Sequence, residues 1–277
     1  MPSRKPHRSL YACILFVFLI SSLLACGTIP SIVGSGTATA TPSTTGQSGQ
    51  SLDVWTKAAA GVEIRNEDWK SPGDNEDQVT IVRLDLHRVH LSIGYRPRTP
   101  LLLGDWMRQT HALAVLNGGY FNEKNQPTGL LISDGQSYGS SYDGFGGMLS
   151  VNTQGQVDLR SLRDHPYDPN SEQIQQATQS SPMLMENGQR TAFSANAASE
   201  RRTVVAIDKQ GRLLLIISPN RAFSLDEMAD LLASSDLSIE TALNLDGGAS
   251  TGLYLHAGSQ SVTIDPVTTL PIVIIIK

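Results

Sequence analysis

Cysteine is scarce: 2 in 277 residues, which excludes a disulfide framework and a zinc-ribbon pattern. Aromatic residues make up 6% and offer no obvious stacking platform. Charge is sparse as well, at 17% of residues, and basic groups are the minority, 21 Lys+Arg against 26 Asp+Glu. A net charge of −5 argues against a general nucleic-acid partner, which needs a positive footprint for phosphate. The chain has no internal repeat, and no Gly-x-Ser-x-Gly elbow signals a serine hydrolase. What it has is 40% hydrophobic residues, enough for a real core in one large domain or two small ones.

The N-terminus stands apart in composition. Arg4, Lys5 and Arg8 precede an apolar run, Leu10 to Leu24, close to the length of a signal-peptide core and short for a bilayer span of roughly 17–25 residues. The run ends in Leu23-Leu24-Ala25-Cys26, which resembles the lipobox of bacterial lipoproteins. That resemblance implies cleavage after residue 25 and thioether lipidation of Cys26; the alternative is an ordinary signal peptide or a short anchor helix. Loss of residues 1–25 would remove Cys13 and take the charge to −8. Residues 26–51 then read as the lipidated cysteine and a Gly/Ser/Thr-rich tether, whose composition buries too little apolar surface to order itself. The folded domain is expected over 52–277, membrane-anchored in the cell envelope, outside the cytoplasm.

Within the domain, strands are expected to outnumber helices. Val79–Leu84 and Val89–Ile93 flank a polar Asp85–Arg88 patch and predict a hairpin. Asn152-Thr153-Gln154-Gly155 and Asp208-Lys209-Gln210-Gly211 predict two more. A short helix is expected around Leu103–Thr110. Ser224-Leu225-Asp226-Glu227 is a capping box opening a helix with Leu225, Met228, Leu231 and Leu232 on one face. Ala112–Leu116, Thr241–Leu245 and Leu270–Ile276 read as buried strands. The expected fold is therefore α+β: a single domain with a largely antiparallel, curved sheet and a few packed helices.

Three segments carry candidate chemistry. Asn117-Gly118-Gly119-Tyr120-Phe121 and Asn244-Leu245-Asp246-Gly247-Gly248 each run a buried strand into a polar side chain and a glycine pair, which can turn sharply and bring amides close to a ligand. A type I′ hairpin turn is the competing reading of either pair. In the third segment Arg202 opens a strand, where its guanidinium can pair with a phosphate or carboxylate; an Arg beside a strand is otherwise usually a solvated charge. Glu186, in Met185-Glu186-Asn187-Gly188, reads first as a hairpin turn and only then as a second carboxylate. His87 and His90 lack a nearby cysteine or paired acidic ligand, so no metal pair is expected there.

Taken together, the chain from Val62 to Lys277 resembles the phosphodiester glycosidase domain of the lysosomal uncovering enzyme and its bacterial relatives. The resemblance rests on Asn117-Gly118-Gly119-Tyr120-Phe121, Ser181-Pro182-Met183-Leu184, Arg202-Thr203 before a strand, and Asn244-Leu245-Asp246-Gly247-Gly248, in that order, and on Leu270-Pro271 before the closing apolar strand. Two stretches depart from the family's habit: Gly247-Gly248-Ala249-Ser250-Thr251 in place of Gly-Gly-Gly-Ser-Ser, and Ser218-Pro219-Asn220-Arg221 where an acidic residue and glycine are common.

The resemblance implies cleavage of a sugar 1-phosphodiester in a cell-envelope or exogenous glycan. Its leaving group, a phosphate monoester, needs less protonation than an alkoxide, so holding the phosphate and stabilising an oxocarbenium-like centre become the main tasks. Arg202 suits the first, assisted by Thr203 or Ser250 hydroxyls and by the Gly118, Gly119, Gly247 and Gly248 amides. Asp246 suits the second, as nucleophile, base or electrostatic stabiliser. Asn117 and Asn244 would orient sugar hydroxyls or the attacking water, and Tyr120 or Phe121 would stack on the sugar. No cofactor is implied, although carboxylate and amide oxygens near Asp246 would suit calcium or magnesium. The rival readings are a catalytically inactive glycan-binding lipoprotein with the same pocket, and a scaffold that pairs with other envelope proteins.

Overall fold

Alternating side chains decide this architecture, because several strands have to bury both faces. Along Leu213–Phe223, Leu213, Leu215 and Ile217 enter one hydrophobic cluster while Leu214 and Ile216 enter another. Along Ile272–Ile276, Ile272, Ile274 and Ile276 face the first cluster and Val273 and Ile275 a third. An unbroken apolar run thus serves two cores with period-two alternation.

The computed structural model describes residues 53–193 and 198–277, which lie in one unit, Ser48–Lys277. The expected signal segment, Cys26 and the tether fall outside the described residues. Among the described strands every pairing is antiparallel, in three sheets. The eight-stranded sheet runs Thr56–Ala59, Val62–Lys70, Glu76–Leu84, Leu213–Phe223, Glu200–Asp208, Ile239–Asn244, Met183–Glu186, Gln189–Arg190. One five-stranded sheet runs Gln136–Tyr138, Leu131–Ser133, Ile174–Ser180, Gly147–Asn152, Val157–Ser161; the other runs Gln260–Ile264, Leu253–Ala257, Ala114–Asn117, Ile272–Ile276, Leu91–Tyr95. All three line the central core, through Val205, Leu149 and Ile274 for example.

The fold is dominated by sheet. Two α-helices occur among the described residues, Leu103–Thr110 and Leu225–Ser234, and each covers the outer face of a sheet. The second helix carries the expected capping box: Ser224 Oγ accepts from Glu227 N (3.2 Å) and Ser224 N donates to Glu227 Oε2 (2.9 Å). The expected turns at Asn152–Gly155 and Asp208–Gly211 join paired strands.

The hairpin expected across Asp85–Arg88 does not form. The turn is there, with Arg88 N on Asp85 O at 2.9 Å, but its flanks part company. Glu76–Leu84 pairs with Val62–Lys70 and Leu213–Phe223, whereas Leu91–Tyr95 pairs with Ile272–Ile276 in another sheet. Leu84 and Leu91 still meet the same central core, so the turn carries the chain from one wall of the core to the next.

Candidate active site

Four strand ends converge, and they are the ends that carry the four sequence blocks. Asp246 N donates to Gly118 O (3.2 Å), Leu245 N to Thr203 O (2.9 Å) and Asn244 N to Pro182 O (3.0 Å). Asn117 Nδ2 donates to the Asp246 carbonyl at 2.6 Å. Segments up to 129 residues apart in sequence are thereby fixed to one another by hydrogen bonds to the main chain.

Successive residues of a strand point to opposite faces, and this divides the expected site residues into two groups. Thr203 shares its face with Val205, toward the central core. Its side chain is fully buried and its hydroxyl donates to Asn117 Oδ1 at 2.8 Å. Asn117, 1% exposed, accepts there and from Gly252 N at 3.1 Å while donating to Asp246 O. Both are therefore struts between strand ends, with the polar groups expected to meet phosphate or sugar spent on partners inside the protein.

The first glycine pair is corrected likewise. Gly118 N donates to Ile272 O (3.1 Å) and Gly119 N to Thr178 Oγ1 (3.2 Å), so neither amide is left for an anion. Glycine is required by close approach: a Cβ at Gly118 would lie 2.6 Å from Ile272 Cγ2, and one at Gly119 would collide with the Gln179 carbonyl.

The opposite face collects the charges. Arg202 is 5% exposed, with Nε on Phe223 O (2.9 Å) and Nη2 on Ala198 O (2.7 Å). Nη1 donates to no described residue, and no described carboxylate lies within 4.0 Å of the guanidinium. Burial lowers its pKa, opposed by its neighbours Tyr120 and Glu200; a guanidinium so shifted is still a cation. Tyr120, within the field of both Arg202 and Asp246, is pushed up to about 12, chiefly by burial, so it stays a neutral phenol. Its hydroxyl donates to Ser181 O (3.0 Å) and accepts from Asn244 Nδ2 (2.8 Å). Asn244, 1% exposed, also donates to Ser181 O and Leu245 O, while its Oδ1 is buried without a partner.

Asp246 lies beyond the end of Ile239–Asn244 and is half-buried. Burial raises its carboxyl to about 6, against the opposing pull of the Ser250 hydroxyl and the Gly247 amide, the latter donating to Oδ1 at 2.9 Å. Ser250 is thus committed to the carboxylate. Gly248, at φ +58°, opens the 3₁₀ turn Gly248–Ser250, and the amides of Gly248 and Ala249 donate to no described residue. Of the two glycine pairs, only this one presents unused amides.

Several neighbours carry no sequence signal of their own. Glu200 Oε2 lies 3.7 Å from where a Gly248 Cβ would stand and pairs with Arg221 Nε at 3.0 Å. Tyr142, in a glycine-rich stretch that reads as a turn, is within the field of Asp246 and bonds Thr128 Oγ1 at 2.9 Å. Other candidates lie elsewhere. Glu186 pairs with Gln189 at a hairpin tip; the register Met185↔Ala242 puts it about five residues, or roughly 17 Å of strand, from Asp246. Phe121 packs on the hydrophobic clusters. Among the described residues no group of three or more His, Cys, Asp or Glu gathers as metal ligands would.

Chemically, the arrangement offers a desolvated cation, a desolvated carboxylate that titrates near neutrality, and free turn amides, with a neutral tyrosine near both charges. Such a combination can hold an anion and act on the adjoining atom.

Known proteins share this fold. The zebrafish N-acetylglucosamine-1-phosphodiester alpha-N-acetylglucosaminidase catalytic domain, auto-inhibited by its pro-peptide, superposes with a TM-score of 0.60 at 21% identity over 79% of this chain and 86% of that one. A hypothetical protein from Synechocystis gives 0.55 at 18%, over 78% and 62%. In sequence, the protein YigE of Escherichia coli (strain K12), described as uncharacterized, is 32% identical over 171 residues, 57% of this chain. The match spans 64% of that relative's length. The pattern of the phosphodiester glycosidase family matches residues 110–272, more than half of the chain and all four strand-end blocks. The chain belongs to the phosphodiester glycosidase family.

Proposed function

We propose that the protein is a hydrolase of sugar 1-phosphodiesters that cuts the bond between the anomeric carbon and the phosphate oxygen. The observation that carries this reading is the Arg202–Tyr120–Asp246 face: a buried guanidinium with no described carboxylate within 4.0 Å and a carboxyl raised to about 6, each within reach of the Tyr120 phenol. A buried cation with no carboxylate in contact is costly, and a bound phosphodiester anion would relieve that cost. Arg202 and the Gly248 and Ala249 amides hold the phosphate. Asp246, ionised, attacks the anomeric carbon or takes a proton from the attacking water. Water's hydroxyl ends on the sugar and its proton passes to solvent or to the departing phosphate monoester. Neither Asn117 nor Thr203 touches substrate in this scheme; they hold the Asp246 main chain in place.

Membership of the family, and the name of the zebrafish structural relative as an N-acetylglucosamine-1-phosphodiester alpha-N-acetylglucosaminidase, support the substrate class. The N-terminal Leu23-Leu24-Ala25-Cys26 supports a lipid-anchored enzyme of the cell envelope acting on glycan-linked phosphodiesters. The test is release of free sugar by the purified protein from a panel of sugar 1-phosphodiesters, cut at least about a hundredfold by Asp246→Asn and by Arg202→Ala. Saturable glycan binding with no turnover would replace the enzyme with an inactive glycan-binding lipoprotein. For the anchor, Cys26→Ser should release the protein from membranes; unchanged fractionation would refute it.

A further inference from the structure

We propose that Tyr142 and Phe145 form the stacking platform for a pyranose ring of the substrate, with Phe145 as its outer, specificity-setting contact. The inference rests on the hydrolase reading of the Asp246 face and adds to it the residue pair that reads the sugar's apolar surface.

Phe145 is unusual in this chain. Aromatics are few and most are buried or half-buried, yet its ring is 50% exposed. It stacks on Tyr142 with centroids 4.7 Å apart and planes inclined by 25°. The loop that presents the pair contains Gly139, Gly144 and Gly146 at φ +73°, +69° and +72°, but it is firmly held. Gln179, 2% exposed, accepts from Tyr142 N (2.8 Å) and Leu130 N (3.1 Å) through Oε1 and donates to Ser141 Oγ (2.8 Å) through Nε2. The Tyr142 ring lies against Gly129 and Gly146, at both of which a Cβ would crowd it. A buried glutamine thus fixes a loop whose product is an exposed phenyl ring, an apolar surface left in water at some cost.

Position ties this ring pair to the site. The Tyr142 hydroxyl bonds Thr128 Oγ1, and Thr128 N donates to the Tyr120 carbonyl at 3.0 Å. Gly146, next to Phe145, packs on Ser180 O and Ser181 Cβ. The Ser181 carbonyl in turn accepts from both Tyr120 and Asn244. Asp246's charge reaches Tyr142 and raises its phenol, in addition to burial. The platform is therefore joined through Thr128, by two hydrogen bonds, to the tyrosine that stands near both Arg202 and Asp246. A phenyl face has no hydrogen-bonding group, so it recognises an apolar surface, which on a sugar is the C–H face of the ring. The polar edge of that sugar is left to neighbours such as Thr128.

The test uses the full chain with Phe145→Ala and Phe145→Trp, leaving the packed Tyr142 intact. For the phosphodiester that the wild type cleaves, Phe145→Ala should raise KM about tenfold, about 1.4 kcal/mol, with kcat within about twofold and an unchanged melting temperature. Phe145→Trp should keep KM. In an Asp246→Asn background, the emission difference between Phe145→Trp and Phe145 chains should change saturably with the matching sugar 1-phosphate. Unaltered KM in Phe145→Ala, or a tryptophan deaf to the sugar phosphate, overturns the platform while turnover by the wild type leaves the hydrolase reading standing. Conversely, a saturable emission change with no turnover of any phosphodiester upholds the platform and sinks the hydrolase.

Discussion

Arg202 and Thr203 are one peptide apart and inhabit opposite kinds of environment. On the Thr203 side the groups are matched: the hydroxyl to Asn117, Asn117 to Gly252 and to the Asp246 carbonyl. On the Arg202 side the groups are left over. The guanidinium has only carbonyl partners, the Asp246 carboxyl is raised by burial, and the Gly248 and Ala249 amides are unused. Desolvated polar groups are stabilising where they are saturated and poised for a ligand where they are not. One face therefore sets geometry, and the other supplies affinity and reactivity.

The largest expected effect tests the reactive face. Asp246→Asn should cut kcat by about 10²–10⁴-fold, the range for a lost acid–base or nucleophilic group, and Arg202→Ala should cut kcat/KM by about 10²–10³-fold. The wild-type profile should rise through pH about 6 as Asp246 ionises, and steady-state kinetics on the cleaved phosphodiester would check both. A profile that falls across pH 6 would make Asp246 the proton donor and reverse its assigned role.

Next come the struts, where the loss should appear in stability. Asn117→Ala leaves the Thr203 hydroxyl, the Gly252 amide and the Asp246 carbonyl without a partner, at a cost of roughly 2–4 kcal/mol measurable by denaturant unfolding. Thr203→Val removes one bond at similar volume and should cost about 1 kcal/mol with kcat/KM within about threefold. A Thr203→Val loss of turnover matching that of Arg202→Ala would break the division between the two faces.

Much of this molecule is legible locally. The capping box at Ser224, the turns at Asn152 and Asp208 and the closing apolar strand are set by neighbouring residues, and each is found as expected. Two of the four polar blocks are visible too, because glycine pairs after buried strands are uncommon enough to notice; Ser181–Leu184 and Arg202-Thr203 carry no such mark and stand out only in company with the other two. What stayed hidden is long-range pairing. The turn at Asp85–Arg88 is real, yet nothing in its residues says that its flanks join different sheets. Alternation separates Arg202 from Thr203, but which face is interior depends on Val205 meeting the core formed by all three sheets. Tyr142 was hidden by its glycine neighbours, which mark a loop without saying what the loop leans on.

A second pair of carboxyls sharpens the contrast at smaller scale. Asp246 is pushed up by burial, while Glu227, at the capping box, is pulled down to about 2, first by the Ser224 amide and then by the Ser71 hydroxyl, against the opposing effect of burial, with a lesser pull from the Asn75 amide. Their linkage to stability has opposite signs. Asp246, whose folded value lies above its unfolded one, destabilises as pH rises from about 3.8 to 6. Asp246→Asn should therefore melt higher than wild type at pH 7, and the advantage should shrink at pH 4. Glu227 contributes stability that is complete above its unfolded value of about 4.5 and is lost as pH falls toward 2. Glu227→Gln should thus melt slightly below wild type at pH 7, the gap being small because the group is only half-buried and solvent screens it, and the two curves should merge near pH 2. Thermal unfolding of the three chains across this range checks both signs, and a Glu227 gap that widens on acidification would show that the cap does not hold its carboxylate as the geometry requires.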